Sequence, residues 1–363
     1  MVHPESPQSM SPLETILKTQ IIAQGPLSVA DYMTTCLFHP EHGYYSTRDP
    51  FGAGGDFITA PEISQMFGEL IGLVLAQVWM DQGRPERIAL SELGPGRGTL
   101  MADILRTVRA VPAFAQACEV HLVEASDHLK TVQQQTLEGH DPIWHDTVDR
   151  LPTDLPLYVV ANEFFDALPI RQMVRDTDGW RERQIGMLNN ALAFGLSDAT
   201  SLTALHHRIE DTKDGDLVEF CAQAPLIMKA LARRIGKNGG AALIFDYGDW
   251  RSLGDTLQAI HAHEIVDPLF KPGQSDLTTH VDFEALVADL ACSHSRLTPQ
   301  GIFLERLGIT DRAQALAKNL EGAALDQHIA AHRRLTHPDE MGTLFKTLAL
   351  FPNDANPPAG YEI

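Results

Sequence analysis

Positive charge is scarce in this chain. Against 48 Asp and Glu residues stand only 28 Lys and Arg, a formal net charge of −20. Sequence-independent binding to nucleic acid or to an anionic lipid surface is driven by Lys and Arg, so both are disfavoured. A basic partner suits the balance better, although net charge speaks to association and solubility rather than to chemistry. Cysteine is scarce too. Cys36, Cys118, Cys221 and Cys292 lie too far apart for a Cys-x-x-Cys zinc or redox element, and they fit a reducing compartment. Among the 16 histidines there is no His-Glu-x-x-His helix; His206 and His207 are adjacent and His261 and His263 alternate, so no metal site is expected. Long apolar runs are missing: Leu70 to Met80 has about half the length of a membrane span. The start, Met-Val-His-Pro-Glu-Ser-Pro, carries neither a charged n-region nor an apolar h-region, so no secretory leader and a cytoplasmic location are expected.

What the chain does have is a regular succession of apolar patterns. An amphipathic helix with Ile16, Leu17, Ile21 and Ile22 on its apolar face is expected from Leu13, then a helical segment over Val29 to Leu37 and a His-Gly-Tyr-Tyr turn. Residues 1–12 read as a mobile tail and Gly52 to Asp56 as a flexible loop. Ser64 to Met80 is strongly helical, with Ile71, Val74, Leu75 and Val78 inward. A strand and helix rhythm follows: strand 87–93, helix 99–110, strand 119–123, helix 127–137, strand 156–161. It signals βαβ units and a parallel sheet. Between Pro169 and Ser197, short alternating runs broken by Asp178-Gly179 and Asn189-Asn190 read as hairpins of an antiparallel insertion. A helix over Leu226 to Ile235 and the strand Ala241 to Phe245 restore the rhythm. Strands near 257–265 and 295–304 flank a helix at 282–290, and 311–350 reads as mostly helical. The expected organisation is a tail (1–12), a helical cap region (13–82), an α/β ligand-binding domain (83–310) with inserted elements at about 169–222, and a helical segment (311–363).

The stretch Glu92 to Leu105, Glu-Leu-Gly-Pro-Gly-Arg-Gly-Thr-Leu-Met-Ala-Asp-Ile-Leu, puts Gly94, Gly96 and Gly98 between a buried strand and an amphipathic helix. Such a loop presents backbone N–H groups that no Cβ shields, a seat for the polar end of a nucleotide-like ligand. It is not the dinucleotide fingerprint, because Thr99 stands where the third glycine of that pattern belongs. In open parallel sheets ligands bind beyond the C-terminal strand ends, and each expected end carries something polar. Val120 to Val123 ends at Glu124, a carboxylate able to accept from both hydroxyls of a ribose. Ile143 to His145 ends at Asp146, a candidate acceptor for an adenine amino group. Leu157 to Ala161 runs into Asn162-Glu-Phe-Phe-Asp166, and the next strand ends at Asp246-Tyr-Gly248. Acids gathered around one pocket repel one another unless a cation joins them. S-adenosylmethionine offers an adenosine, an amino-acid end and a sulfonium. NAD fits less well, since Glu92 would face its pyrophosphate.

The segments Asp56-Phe-Ile-Thr-Ala-Pro-Glu-Ile-Ser-Gln-Met-Phe-Gly-Glu69, Glu92 to Leu100, Ala161-Asn-Glu-Phe-Phe-Asp-Ala-Leu-Pro169, Phe245-Asp-Tyr-Gly248 and Asp276-Leu-Thr-Thr-His-Val-Asp-Phe283 resemble, in the same order, signature blocks of the MidA-like methyltransferases. This is the family of the mitochondrial complex I assembly-factor arginine methyltransferase. The resemblance implies a class I S-adenosylmethionine-dependent fold: α/β, Rossmann-like, a mainly parallel sheet with helices on both faces, a helical N-terminal region and inserted antiparallel elements. For the mitochondrial relatives it implies symmetric dimethylation of an arginine on a complex I subunit, and hence a protein partner.

The expected cofactor residues are Glu92, Gly94, Gly96, Gly98, Glu124, Asp146 and Asn162, with the Glu92 charge favouring an amino-acid ammonium. Methyl transfer from sulfonium needs an aligned nucleophile and an excluded solvent. For a guanidinium nucleophile, Glu163 and Asp166 are the expected fork-holding carboxylates, with Phe164 or Phe165 as a wall and His280 as the acceptor of the released proton. The alternatives are an assembly or interaction factor that holds S-adenosylmethionine without essential catalysis and, less favoured because of Thr99, an NAD-dependent oxidoreductase. No residue pattern sets an oligomeric state.

Overall fold

The computed structural model describes residues 11–47, 58–177 and 179–363. Residues 1–10 of the expected tail, the expected loop Gly52 to Asp56, Asp56 and Phe57 of the first signature block, and Asp178 of the first expected hairpin turn lie outside the described residues. The chain divides into two compact units of three segments each. One comprises Met1–Pro50, Ala167–Ala222 and Ser252–Thr279; the other comprises Phe51–Asp166, Gln223–Arg251 and His280–Ile363.

Among the described residues, the second unit is built on a nine-stranded sheet whose main strands are β1 (Ile88–Leu93), β2 (Cys118–Val123), β3 (Ile143–His145), β4 (Leu157–Asn162), β5 (Gly240–Asp249) and β6 (Phe345–Phe351), with two-residue strands beside β5 and β6. They lie in the order β3-β2-β1-β4-β5-β6, the first five parallel and β6 antiparallel to β5. Every residue of β1 and β4 is buried, as central parallel strands require. Chain order reverses between β1 and β4, so this is the topological switch point, the place beyond whose C-terminal strand ends open α/β sheets bind their ligands.

Helices α1 (Gln65–Asp81), α2 (Thr99–Val108), α3 (Asp127–Thr136) and α4 (Ala224–Asn238) belong to the same unit. Ser64 caps α1, its hydroxyl accepting the Met66 N–H at 3.2 Å. Ile71, Val74, Leu75 and Val78 are buried, as their spacing predicts, and each such side chain contributes about 1.5–3 kcal/mol. Gly68 lets α1 approach α2 closely: a Cβ there would stand 2.6 Å from Cβ of Asp103.

Two expectations at the C-terminal side fail. Residues 345–351, expected helical, form β6, and residues 300–304, expected to lie in a strand near 295–304, belong to the helix Gln300–Arg306. Both are short apolar runs, for which periodicity does not separate a buried strand from a buried helix. The helix expected at 282–290 shortens to Phe283–Val287, capped by Asp282.

The first unit carries the helices Pro12–Gln24 and Val29–Phe38 and an antiparallel sheet. In the first helix Leu13, Leu17 and Ile21 are buried while Ile22 is exposed, because the inward stripe runs i, i+4, i+8 from Leu13. The expected turn around Tyr44 is a short helix, Tyr44–Thr47. The expected insertion consists of strands Arg171–Asp176, Gly179–Leu188 and Ala191–Leu196, with Asn189 and Asn190 both at positive φ as a tight hairpin turn demands.

Candidate functional site

The candidate site lies in the second unit, at the strand ends flanking the switch point. At the end of β1, Glu92 is buried, and burial holds its carboxyl well above the ordinary glutamate range despite a hydrogen bond from the Met101 N–H in the first turn of α2. Its Oε2 has no partner among the described residues. The loop follows with Gly94 at φ 60°. The Gly94 N–H donates to the Val123 carbonyl at 3.0 Å, pinning the loop to the neighbouring strand. Thr99, the residue that spoils the dinucleotide pattern, donates its hydroxyl to Glu62 Oε1 at 2.5 Å.

Beyond β2, the Glu124 N–H donates to the His145 carbonyl at 3.0 Å, locking the end of β2 to β3. The Glu124 carboxylate accepts the Ser126 N–H on Oε1 at 2.8 Å and a Gln133 amide N–H on Oε2 at 3.0 Å. The Ala125 N–H faces the same carboxylate, and the two oxygens together keep a further lone pair for a ligand. Burial still raises the Glu124 pKa above the ordinary value. Under the ends of β2 and β3, His121 Nδ1 and His145 Nε2 share a hydrogen bond of 2.9 Å. Asp146, by contrast, is solvent-exposed and paired with Lys130 at 3.0 Å.

At the end of β4 the backbone is strained. Glu163 sits at φ 52°, a region that L side chains seldom adopt, and its N–H donates to the Phe245 carbonyl at 2.9 Å. Asn162, buried, donates from Nδ2 to Glu163 Oε1 at 3.0 Å, while its Oδ1 has no partner among the described residues. Phe164 and Phe165 meet edge to face at 5.2 Å. Asp246 of β5 is completely buried, and its Oδ2 accepts the N–H groups of Phe165 (2.9 Å) and Asp166 (3.2 Å). Its carboxyl is held well above the usual range by burial and then by the charges of Asp166 and Glu163.

The structure therefore brings Glu92, the glycine loop, Glu124, Asn162, Glu163 and Asp166 to neighbouring ends of β1, β2 and β4. His280 lies apart from the strand ends in sequence but packs its ring edge to face on Tyr247 at 5.3 Å, one residue after Asp246. Burial, and then the Lys346 charge, lowers its pKa. Sequence reasoning missed Glu62, Gln133 and the role of Asp246 as the acceptor that shapes the Phe165-Asp166 turn. Gln133 had a readable signal: it is the one polar residue on the stripe Leu129, Gln133, Leu137, all three buried.

Residues 70–303 match the family model described as "Putative S-adenosyl-L-methionine-dependent methyltransferase". Similar relatives include the protein arginine methyltransferases NDUFAF7, mitochondrial, of Danio rerio, 38% identical over 91% of this chain and 84% of that protein, and of Homo sapiens, 36% identical over 95% and 84%. Among solved structures, a Burkholderia thailandensis protein bound to S-adenosyl-homocysteine superposes with a TM-score of 0.81 at 27% identity, over 96% of this chain and 94% of that one. The relatives are mitochondrial by name, which overturns the cytoplasmic location expected from the sequence. That expectation rested on a missing secretory leader, and such an absence does not distinguish one non-secretory compartment from another.

Proposed function

Because the chain belongs to this family of S-adenosyl-L-methionine-dependent methyltransferases, we propose that it methylates an arginine of a partner protein to the symmetric dimethyl product, the partner being a subunit of respiratory complex I. Family membership makes the chain a methyltransferase with S-adenosylmethionine as its methyl donor. The arginine acceptor is taken from relatives named for that activity, and the complex I subunit from the resemblance of the signature segments.

The residues fit the donor. Glu92 Oε2 and Asn162 Oδ1 are buried acceptors lacking a partner among the described residues, and such atoms cost about 1–3 kcal/mol each until a donor reaches them. In this reading Glu92 takes the ammonium of the amino-acid end, the N–H groups of the Gly94 to Gly98 loop take its carboxylate, Glu124 takes the ribose hydroxyls, Asp146 the adenine amino group, and Asn162 a donor beside the loop.

When bound, S-adenosylmethionine supplies a methyl group on a sulfonium that a nucleophile displaces in line. The chain's residues supply alignment and proton transfer. Glu163 and Asp166 hold the guanidinium by charge-assisted hydrogen bonds and aim one nitrogen. Phe164 walls the site against water. His280, kept neutral by burial, takes the proton that the nitrogen sheds.

The observation that carries this reading is Glu163 itself: a glutamate held at φ 52° by a backbone bond to β5, with its carboxylate fixed by Asn162. Strain of that kind is retained where a side chain has to be aimed. The test is incubation with methyl-labelled donor and a lysate of the source organism, followed by mass spectrometry of the labelled species. Label on arginine as the symmetric dimethyl form supports the reading. Label confined to a small molecule overturns it.

A further inference from the structure

Gln133 sits in the middle of α3, fully buried, at a position where the helix stripe calls for a leucine. Its orientation is fixed by chemistry. The indole N–H of Trp144 can only donate, and it lies 2.8 Å from Oε1, so the other side of the amide is the NH2 group. That group has two hydrogens and meets two acceptors: the Gly96 carbonyl at 2.8 Å and Glu124 Oε2 at 3.0 Å. One amide thus spans three elements, the glycine loop after β1, the acid after β2 and the tryptophan of β3. Asparagine carries the same amide on a side chain one methylene shorter, and no other residue type offers this set. A glutamate would face Glu124 and the carbonyl with a carboxylate, and a methionine would leave three buried polar groups unpaired.

We propose that Gln133 is the positioning residue of the donor site, tying the carboxylate that holds the ribose to the loop that holds the amino-acid end, so that one side chain sets the spacing between the two. The inference rests on the assignment of Glu124 to the ribose. Fastening the Gly96 carbonyl to α3 turns the following N–H, that of Arg97, to the opposite side of the loop, because C=O and N–H of a trans peptide point oppositely. Fastening Oε2 of Glu124 fixes the orientation in which the carboxylate offers its remaining lone pair to a ligand, and supports the charged form against burial. Glu124 is otherwise faced by the N–H groups of Ala125 and Ser126 and, at longer range, by Lys130, itself paired with Asp127 and Asp146.

The test is the affinity for S-adenosylhomocysteine, measured by calorimetry from pH 5 to 9, in the full-length wild type, Gln133→Met, Gln133→Glu and Glu124→Gln. In Gln133→Met, affinity falls roughly tenfold or more at pH 8, and the midpoint of its pH dependence moves upward because Glu124 has lost a donor. In Gln133→Glu, a protonated side chain restores one donor, so affinity declines as pH rises through the range in which two facing carboxylates would both ionise. This variant keeps the size of the side chain and serves where Gln133→Met does not fold. An unmoved midpoint in Gln133→Met together with no alkaline decline in Gln133→Glu would mean that Gln133 only packs, and would overturn the inference while Glu124→Gln still binds weakly. Unaltered binding by Glu124→Gln would overturn the ribose assignment, and the inference with it.

Discussion

Phe164 lies over Gly94: a Cβ built on that glycine would stand 3.0 Å from Cδ2 of the ring. The loop after β1 and the loop after β4 therefore meet across the switch point, and Gly94 is required both by its φ of 60° and by the ring above it. Gly94→Val combines left-handed strain of about 1–2 kcal/mol with a clash of about 1–3 kcal/mol. Binding of S-adenosylhomocysteine should weaken by roughly 100-fold. Micromolar binding retained in calorimetry would count against this pocket.

Glu92 makes binding release a proton. Its carboxyl is pushed well up by burial, which favours the protonated form in the free protein. A ligand ammonium favours the ionised form, and the folded-state pKa drops on binding. Between the two pKa values each binding event expels up to about one proton, and affinity rises with pH. Calorimetry in buffers of different ionisation enthalpy reads this release, and Glu92→Gln should reduce it. Equal release in the variant would remove Glu92 from the ammonium site.

The His121 and His145 pair predicts acid sensitivity. Burial, and then the neighbouring His145, lowers His121 from 6.5 to about 4, while Glu119 opposes the shift. A depressed folded-state pKa means stability that is complete above the unfolded value and is lost as pH falls from about 6.5 toward 4. Replacing His121 with Gln should flatten Tm against pH in that window, by roughly 2 °C at pH 5. An unchanged slope would place the acid-sensitive group elsewhere.

Much of the candidate site was legible because its signals are local. A glycine loop between a strand and a helix, an acid after the next strand and the Asn162-Glu163 pair each occupy a few consecutive residues. The succession of parallel strands was legible as βαβ rhythm as far as β5. What was not legible depends on partners distant in sequence: Glu62 under Thr99, 37 residues away, Gln133 across to Gly96, also 37 away, and Asp246 under Phe165, 81 away. The strand β6 escaped because Phe-Lys-Thr-Leu-Ala-Leu-Phe satisfies a helix as well as a buried strand, and only its pairing with β5 decides. Asp146 ends β3, the outermost strand of the parallel run, and so lies exposed beside Lys130 where Glu124 is buried.

The central claim, that the acids after β4 aim an arginine at a methyl group held by the loops of β1 and β2, is tested most directly by single-turnover methyl transfer. Glu163→Gln and Asp166→Asn should be compared with the wild type on the labelled arginine substrate, with S-adenosylhomocysteine affinity measured in parallel. Losing a fork-holding carboxylate should slow transfer by about 100-fold while affinity changes by less than about threefold. Undiminished transfer in both variants would contradict the account.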